Sequence, residues 1–451
     1  MEGFSLLLVI LLGVLFVIFA TAKLKIHPFL SLLFAAFGTG ILAGLPLADI
    51  VTAVNTGFGG LMGSIGLVIV FGTIIGVILE KSGAALRMAE VVLRLVGEKR
   101  PQLAMSLIGS IVSIPVFCDS GYVILSSLKK ALAKRAKVAV ASMAIALSTG
   151  LFATHTLVPP TPGPIAAAGN IGAENYLGLI ILIGIIVAIP AVTVGYIWAM
   201  KVGTKIKVEG EDDLQYDYDE VIKGFGEMPS TWKSFAPILV PILLIGFASL
   251  VTFIGWEGFI FDVFLFLGSP VVALLAGIFF AFALLPKFDE ETLSGWVGEA
   301  LKDAAPILLI TGAGGAFGSV IKATPVGDFI QGFANSGLLS GAFFLLIPFL
   351  IAAALKTAQG SSTTALVITS SLMAPLLTQA DISGALPLAL VVMAIGAGAM
   401  VVSHVNDSYF WVVKEFSGMT VVDAYKAQTM ATLLQGIVSL VTTMVLWMLF
   451  V

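Results

Sequence analysis

The stretch QLAMSLIGSIVSIPVFCDSGYVILSSLKKAL (Gln102–Leu132) decides the fold, because it holds two short apolar segments where one membrane span would be expected. The segments Gln102–Phe117 and Gly121–Leu132 are joined by Cys118-Asp119-Ser120. Basic residues flank both ends, namely Lys81, Arg87, Arg94, Lys99 and Arg100 before the stretch and Lys129, Lys130, Lys134, Arg135 and Lys137 at its end. Because basic flanks stay in the cytoplasm, the stretch enters and leaves on the same side, which predicts a re-entrant hairpin.

The composition is that of a membrane protein. Of the 451 residues, 59% are hydrophobic and only 11% are charged, whereas about 25% of residues are charged in soluble domains. The net charge of −4 gives no reason to expect a nucleic-acid partner. A single cysteine, Cys118, excludes an intramolecular disulfide. The first apolar segment follows Glu2 and lacks a basic leader, so we interpret it as a first span and not as a signal peptide.

Ten apolar segments approach the length of about 20 residues that a membrane-spanning helix needs. Together they predict an all-α polytopic protein embedded in a lipid bilayer, with five spans on each side of a hydrophilic linker, 201–233. The segments are Phe4–Ala22, Pro28–Leu45, Met62–Leu79, Val138–Phe152 (continuing brokenly to Ala168), Tyr176–Met200, Phe235–Phe253, Phe259–Leu285, Ala305–Ile321, Leu386–Val402 (continuing to Val413) and Ala427–Phe450.

The odd number of spans per half predicts two inverted repeats. The first is 1–200, with its hairpin at 102–132; the second is 234–451, with a hairpin at 339–378. Weak echoes such as GYVILSSL (Gly121–Leu128) and ALVITSSL (Ala365–Leu372) favour a duplication. With the N-terminus outside and the linker in the cytoplasm, all 23 lysine and arginine residues except Lys322 and Lys356 fall on the cytoplasmic side.

Four polar interruptions break otherwise apolar segments, and in transporters with inverted repeats such breaks hold the substrate near the membrane midplane. They are Phe117–Leu125, Thr154–Pro164, Ala358–Thr364 and Ser403–Phe410. In the second of these, four prolines and a glycine prevent a continuous helix. The predicted substrate-binding residues are Asp119, Ser120, Gly121, Thr154, His155, Thr156, Thr161, Gln359, Gly360, Ser361, Ser362, Thr363, His404, Asn406, Asp407 and Ser408.

These residue types suit a small organic anion that carries hydroxyl groups. Half-helix N-termini attract a carboxylate, and Ser, Thr, Asn, Asp and Gln side chains are hydrogen-bond partners for hydroxyls. We predict a proton as the coupling ion, with Asp119 and Asp407 as its first carriers because buried carboxylates are readily protonated. His155 and His404 are the second choices, since imidazole titrates near neutral pH. Sodium coupling stays open, and no cofactor or resident metal is predicted.

Each feature also has a purely structural interpretation. Asp119 can cap the returning arm of the hairpin, the run Ser361–Thr363 can satisfy backbone groups at a helix end, and the prolines can be simple kinks. His155 and His404 can be core histidines with satisfied hydrogen bonds. Lys356 lies one turn before the second hairpin tip, where it fits either a water-filled vestibule or a role in offsetting a substrate carboxylate or Asp119.

An intramembrane enzyme and a channel are the competing classes. No H-E-x-x-H spacing is present, and no Ser or Cys nucleophile has a base nearby in the sequence. No catalytic residue is therefore predicted. Paired re-entrant hairpins in inverted halves disfavour a channel.

Six segments, in this order, resemble the gluconate permease family of proton symporters within the ion-transporter superfamily. The resemblance covers nearly the whole chain apart from the acidic loop Glu209–Glu220. The segments are GFGGLMGSIGLVIVFGTIIGVILEKSGAA (Gly57–Ala85), PVFCDSGYVIL (Pro115–Leu125), HTLVPPTPGPIAAAGNIGA (His155–Ala173), GAGGAFGSVI (Gly312–Ile321), AQGSSTTA (Ala358–Ala365) and SHVNDSYFWVVKEFSGMT (Ser403–Thr420).

This resemblance implies proton-coupled uptake of gluconate or a related sugar acid through the inner membrane. It also implies a division into scaffold and transport domains that move like an elevator, and it is compatible with a homodimer. Some relatives take D-serine or short hydroxy acids, so the resemblance leaves the identity of the substrate open.

Overall fold

A computed structural model describes residues 4–97, 99–208, 228–254, 258–324, 341–380, 382–405 and 407–451. As predicted, these residues form helices and no strand. The first half comprises α1 Phe4–Ala22, α2 Pro28–Ala43, α3 Leu47–Lys81, α4 Ala84–Val96, α5 Pro101–Val112, α6 Cys118–Ile124, α7 Ser126–Ala136, α8 Val140–Leu157, α9 Pro162–Asn170 and α10 Leu177–Lys201. The second comprises α11 Thr231–Ile254, α12 Phe259–Gly268, α13 Pro270–Phe282, α14 Trp296–Lys322, α15 Leu346–Gln359, α16 Ser362–Gln379, α17 Ala385–Met400, α18 Ser408–Ser417, α19 Val421–Ala424 and α20 Met430–Phe450.

Within the described ranges, seven helices are long and apolar enough to cross a membrane, or eight if the bent pair α12–α13 is one span. The sequence predicts ten spans, so the prediction of five full spans per half is too simple. Helices α2 and α17 have only 16 residues each. The segment predicted as one span over Phe259–Leu285 bends by 67° at Ser269. Short apolar helices thus take the place of some full spans.

The exposure of the side chains distinguishes an apolar outer surface from a buried interior. Large apolar side chains are exposed along α1, α10 and α20, for example Leu12, Ile189 and Leu449, which is the pattern of helices that face lipid. By contrast, every residue of α8 is buried. Helix α8 packs against α5 and α10, so it forms the centre of the first half.

Close helix packing joins the two halves at α3 and α14, which make extensive contact. A Cβ atom at Gly57 would overlap the carbonyl oxygen of Gly315, and one at Gly315 would meet the carbonyl oxygen of Gly57. The glycine-rich segment Gly312–Gly318 therefore permits a near-contact of two backbones, as small residues do in membrane helices.

Both predicted interrupted helices are present. Helix α8 ends at Leu157, before the proline-rich run, and α9 begins at Pro162. Helix α17 ends at Met400, and α18 begins only at Ser408. The chain between them includes Val402 at a φ of 56°, a left-handed conformation that a β-branched residue rarely adopts.

The tip of the first hairpin does not lie where the sequence predicts it. Helix α5 stops at Val112 and α6 begins at Cys118, so the first tip is 113–117 and the predicted junction Cys118-Asp119-Ser120 is several residues too late. Asp119 lies in the first turn of α6, and the N-cap residue is Phe117; the capping interpretation of Asp119 is therefore wrong. Pro115 at this tip packs against α3, where its carbonyl oxygen faces Gly76.

The second hairpin consists of α15 and α16, with its turn at Gly360 and Ser361. The start of its predicted first arm, 339–340, lies outside the described residues. Each half thus contains a hairpin followed by an interrupted helix and a long final helix. The inverted relation of the two halves, and the boundaries of the repeats, stay predictions.

Candidate functional site

A cavity of about 260 Å³ lies where the two hairpins meet the two interrupted helices, and we call it the central cavity. Its volume is slightly below the range of about 300–1,000 Å³ that is usual for small-molecule sites. Each interrupted element contributes to its wall. The lining residues are Phe117, Cys118, Asp119, Phe152, His155, Gln359, Gly360, Ser361, Ser362, Thr363, Asp407, Ser408 and Tyr409.

The second hairpin tip presents a helix N-terminus to this cavity. Gly360 ends α15 at a φ of 88°, a conformation that favours glycine. Ser361 then caps α16, because its Oγ accepts a hydrogen bond from the Thr364 N–H at 3.2 Å. The N–H groups of Ser362 and Thr363 belong to the first turn, where a helix provides no acceptor of its own. The tip therefore offers backbone donors and a positive partial charge.

A buried ion pair stabilises the second hairpin tip. Lys356 Nζ lies 2.6 Å from Asp407 Oδ2, and the two side chains are 0% and 4% exposed. Lys356 also donates to the Gly360 carbonyl at 2.5 Å. Asp407 accepts from Ser403 Oγ at 2.5 Å and from the Tyr409 N–H at 3.1 Å. One charge pair thus joins the hairpin tip to the start of α18, and neither charge needs an external partner.

Asp119 has a different environment from Asp407. Its described hydrogen bonds are long: 3.4 Å from Ser408 Oγ and 3.6 Å from Cys118 Sγ. Cys118 is only 2% exposed. No described cation lies within ion-pair distance of Asp119, so this carboxylate is held at the cavity wall by weak contacts alone.

An aromatic side of the cavity comes from α8 and α18. Phe152 stacks on Tyr409 with ring centroids 5.2 Å apart, and Tyr409 donates to the Ser148 carbonyl at 2.9 Å. His155 lies one turn from Phe152 on the same face of α8 and packs against Phe117 at 5.8 Å. Among the described residues, His155 Nδ1 has no hydrogen-bond partner, although the side chain is only 5% exposed.

A second buried lysine fixes the first hairpin against α18. Lys129 Nζ donates to the Tyr122 hydroxyl at 3.0 Å, to Ser417 Oγ at 2.9 Å and to the Phe416 carbonyl at 3.2 Å. The ammonium lies at the C-terminal end of α18, where a cation is favoured. This contact positions α6, and with it Asp119, beside the start of α18.

Comparison with known proteins identifies the family of this chain. The model of the family described as GntP family permease matches residues 5–449. The chain belongs to the GntP permease family.

Relatives of this GntP permease are similar over almost their whole length. It is 34% identical to an uncharacterized permease of Haemophilus influenzae, covering 91% of this chain and 85% of that protein. It is 32% identical to the gluconate permease of Pseudomonas aeruginosa, covering 98% and 97%. The crystal structure of the Alcanivorax borkumensis YdaH transporter has a TM-score of 0.66 at 16% identity, covering 94% and 98%. This GntP permease is a multi-pass membrane transporter and not an enzyme.

Nine of the sequence-predicted site residues line the central cavity of this GntP permease. They come from all four interruptions, which the fold brings together across the two halves: Asp119, His155, Gln359, Gly360, Ser361, Ser362, Thr363, Asp407 and Ser408.

The other predicted residues that the structure describes do not line the cavity. Thr154, Thr156 and Thr161 bond to carbonyls of their own segment. His404 Nε2 faces the Thr357 carbonyl at 2.8 Å. Gly121 packs against Leu151, Ser120 is not among the lining residues, and Asn406 lies outside the described residues.

The sequence did not predict three residues of the central-cavity wall, nor the ion pair that stabilises this wall. Phe117, Phe152 and Tyr409 line the cavity, but aromatic residues in apolar helices carry no distinguishing signal. Lys356 is fully buried, so its interpretation as a vestibule lysine is wrong, and its partner is Asp407 and not Asp119. The available clue was that Lys356 is one of the two basic residues that the positive-inside rule does not place in the cytoplasm.

Proposed function

We propose that this permease takes up gluconate, or a closely related polyhydroxy acid, together with a proton across the inner membrane. The N-terminus faces the outside and the linker 201–233 faces the cytoplasm, as the distribution of basic residues indicates. The name of the Pseudomonas aeruginosa relative supports the substrate. The chemistry of the central cavity supports both the substrate and the coupling ion.

The substrate carboxylate binds at the start of α16. The free N–H groups of Ser362 and Thr363 and the hydroxyls beside them form an anion site of the kind that helix N-termini provide. Lys356 lies behind this turn and bonds to Gly360, but its charge is already balanced by Asp407. The anion is therefore bound mainly by backbone donors and by the helix dipole.

The hydroxyl groups of the substrate face polar atoms that have no partner among the described residues. Gln359 Nε2 and His155 Nδ1 are buried and unpaired, and both side chains line the cavity. Unpaired buried polar atoms are costly, about 1–3 kcal/mol each. A ligand with several hydroxyls satisfies both, whereas a short monocarboxylate does not. This observation carries the choice of a polyhydroxy acid.

The charges around the cavity support proton coupling. Lys356 and Asp407 cancel each other, so Asp119 is the one carboxylate in the wall without a described cationic partner. An incoming carboxylate would place a second negative charge in the same cavity, where low dielectric strengthens repulsion. A proton on Asp119 removes this repulsion, so the anion and the proton bind together and are carried together.

Uptake of labelled gluconate by proteoliposomes tests the proposal. An inward proton gradient should drive accumulation, an uncoupler should abolish it, and an inward sodium gradient alone should not replace it. Unlabelled gluconate should compete better than D-serine or a short hydroxy acid. Accumulation driven by sodium at equal pH would overturn proton coupling, and stronger competition by D-serine would overturn the assignment of a polyhydroxy acid.

A further inference from the structure

A second cavity, of about 350 Å³, lies between α3, α9, α14 and α16, and we call it the outer cavity. It lies beside the glycine crossing of α3 and α14. Gly57, Gly60, Gly314, Gly315 and Gly318 line it, and among them a Cβ atom at Gly60 would meet no other atom within 4 Å. Its polar lining includes Thr56, Ser64, Asn170, Glu174, Ser319 and Lys322.

Asn170, which lines this cavity, has a buried acceptor without a partner among the described residues. The two N–H groups of its amide are shared among three acceptors, namely the Val367 carbonyl at 3.0 Å, Ser370 Oγ at 2.8 Å and Ser371 Oγ at 2.9 Å. Because the Val367 carbonyl can only accept, the amide orientation is fixed. Asn170 Oδ1 is left without a partner among the described residues, on a side chain that is 8% exposed.

Glu174 supplies a second unpaired acceptor to the same space. Its Oε2 atom is buried and has no hydrogen-bond partner among the described residues. Two buried acceptors without donors are uncommon in folded proteins. Together with Asn170 Oδ1, this oxygen makes the outer cavity complementary to a ligand that donates hydrogen bonds.

The positive charge of Lys322 limits the kind of ligand that fits the outer cavity. Its side chain lines the outer cavity together with Glu174, which precedes α10. The proposed topology places Lys201, at the other end of α10, in the cytoplasm, and in that topology the cavity faces the outside. An ammonium disfavours a metal cation in this place, and 350 Å³ is far more space than an ion needs. A ligand with one carboxylate and several hydroxyls matches the ammonium and both acceptors.

We propose that the outer cavity binds the polyhydroxy acid before it reaches the central cavity. The carboxylate pairs with Lys322, and hydroxyl groups donate to Asn170 Oδ1 and Glu174 Oε2. Helix α16 joins the two sites: Thr363 lines the central cavity and Ser371 the outer one. Eight residues of helix separate them by about 12 Å. This inference rests on the proposed substrate class but not on proton coupling.

A cysteine reporter in the outer cavity tests the inference. In a Cys118→Ala background, Thr56→Cys places the single thiol at an exposed position of the lining. A membrane-impermeant maleimide added from outside should label it, and gluconate should slow labelling at least fivefold. Sorbitol, a neutral polyol of similar size, should protect less. Asn175→Cys, exposed but not part of the lining, is the matched control and should be labelled at the same rate with or without gluconate.

Two further variants separate the outer cavity from the central one. Lys322→Gln should raise the half-protecting gluconate concentration about tenfold. The double variant Lys356→Met/Asp407→Asn, which removes the ion pair of the central cavity without leaving a buried charge, should leave protection intact. Protection lost in the double variant Lys356→Met/Asp407→Asn, or unaffected in Lys322→Gln, would overturn the inference. So would the absence of protection in a protein that still accumulates gluconate, because the outer cavity would then hold only water. Failure of the proposed function has a separate sign, namely no gluconate uptake by the unmodified chain.

Discussion

Lys356 and Asp407, 51 residues apart in the chain, form an ion pair of 2.6 Å that is almost completely closed to solvent. It connects the turn of the second hairpin to the break before α18. Two elements that both line the central cavity therefore cannot separate without exposing two unpaired charges to a low-dielectric interior. The pair joins two parts of the cavity wall, and it leaves Asp119 as the carboxylate that we propose for the coupling proton.

Breaking this pair on one side should damage the fold. We expect Lys356→Met to lower stability by about 3–5 kcal/mol, because it leaves Asp407 as an uncompensated buried charge. Thermal unfolding in detergent measures the effect. The double variant Lys356→Met/Asp407→Asn should recover most of the stability, since no net charge then remains.

An exposed pair provides the control for that measurement. Lys414 and Glu415 lie 2.7 Å apart with side chains that are 21% and 59% exposed, and such pairs contribute about 0–1 kcal/mol. Lys414→Met should therefore have a small effect on stability. If Lys356→Met were equally mild, the buried pair would not be the support described here.

The features that sequence reasoning could place are those that depend on local chemistry. Proline cannot continue a helix, so the break at Pro159 and Pro160 was predictable, as was the turn at Gly360. The first tip was misplaced because Pro115, which forms it, lies in an apolar run. Its position depends on contact with Gly76 in α3, which no local pattern reveals.

The candidate site was harder to predict because a helix presents only one face to a cavity. Sequence reasoning selected Thr154, His155 and Thr156 together, but residues on one face recur every three or four positions. Phe152 and His155 satisfy that spacing and line the central cavity, while Thr156 bonds to the Phe152 carbonyl. The Lys356–Asp407 pair joins distant segments, and the sequence of neither segment predicts its contact with the other.

Topology can be tested with tags or single cysteines. Sites after Lys99 and after Arg135 should both be reached only from the cytoplasmic side, because both flanks of the first hairpin are basic. Asn175→Cys, in the turn before α10, should be reached only from outside. An external signal after either Lys99 or Arg135 would contradict the re-entrant hairpin.

Asp119→Asn tests the coupling ion. We expect gluconate exchange to continue while accumulation driven by a proton gradient disappears, because the amide keeps the shape of the side chain but cannot carry the proton. Exchange and accumulation are measured in the same proteoliposomes. Asp262→Asn, an exposed carboxylate of α12, should preserve both activities. Normal accumulation by Asp119→Asn would remove this residue from the coupling step.

Cys118 reports on occupancy of the central cavity. Its thiol lines the cavity but is only 2% exposed, so a maleimide should label it slowly, and gluconate should slow labelling further. Glucose, which lacks the carboxylate, should protect less if the N-terminus of α16 binds the anion. Equal protection by both sugars would show that hydroxyl contacts dominate, and rapid labelling unaffected by either would move the substrate away from the hairpins.

His155 and Thr156 are neighbours with opposite expected roles, which makes them a matched pair of substitutions. His155→Phe keeps an aromatic ring beside Phe117 but removes the unpaired Nδ1 atom. A lost hydrogen bond of about 0.5–1.5 kcal/mol should raise the KM for gluconate uptake by roughly 2- to 13-fold. Thr156→Val removes a hydroxyl that bonds only within α8, so its KM should change less than about twofold. Uptake is normalised to the amount of folded transporter. A larger KM change in Thr156→Val than in His155→Phe would contradict the assigned orientation of α8 and the contact between His155 and a substrate hydroxyl.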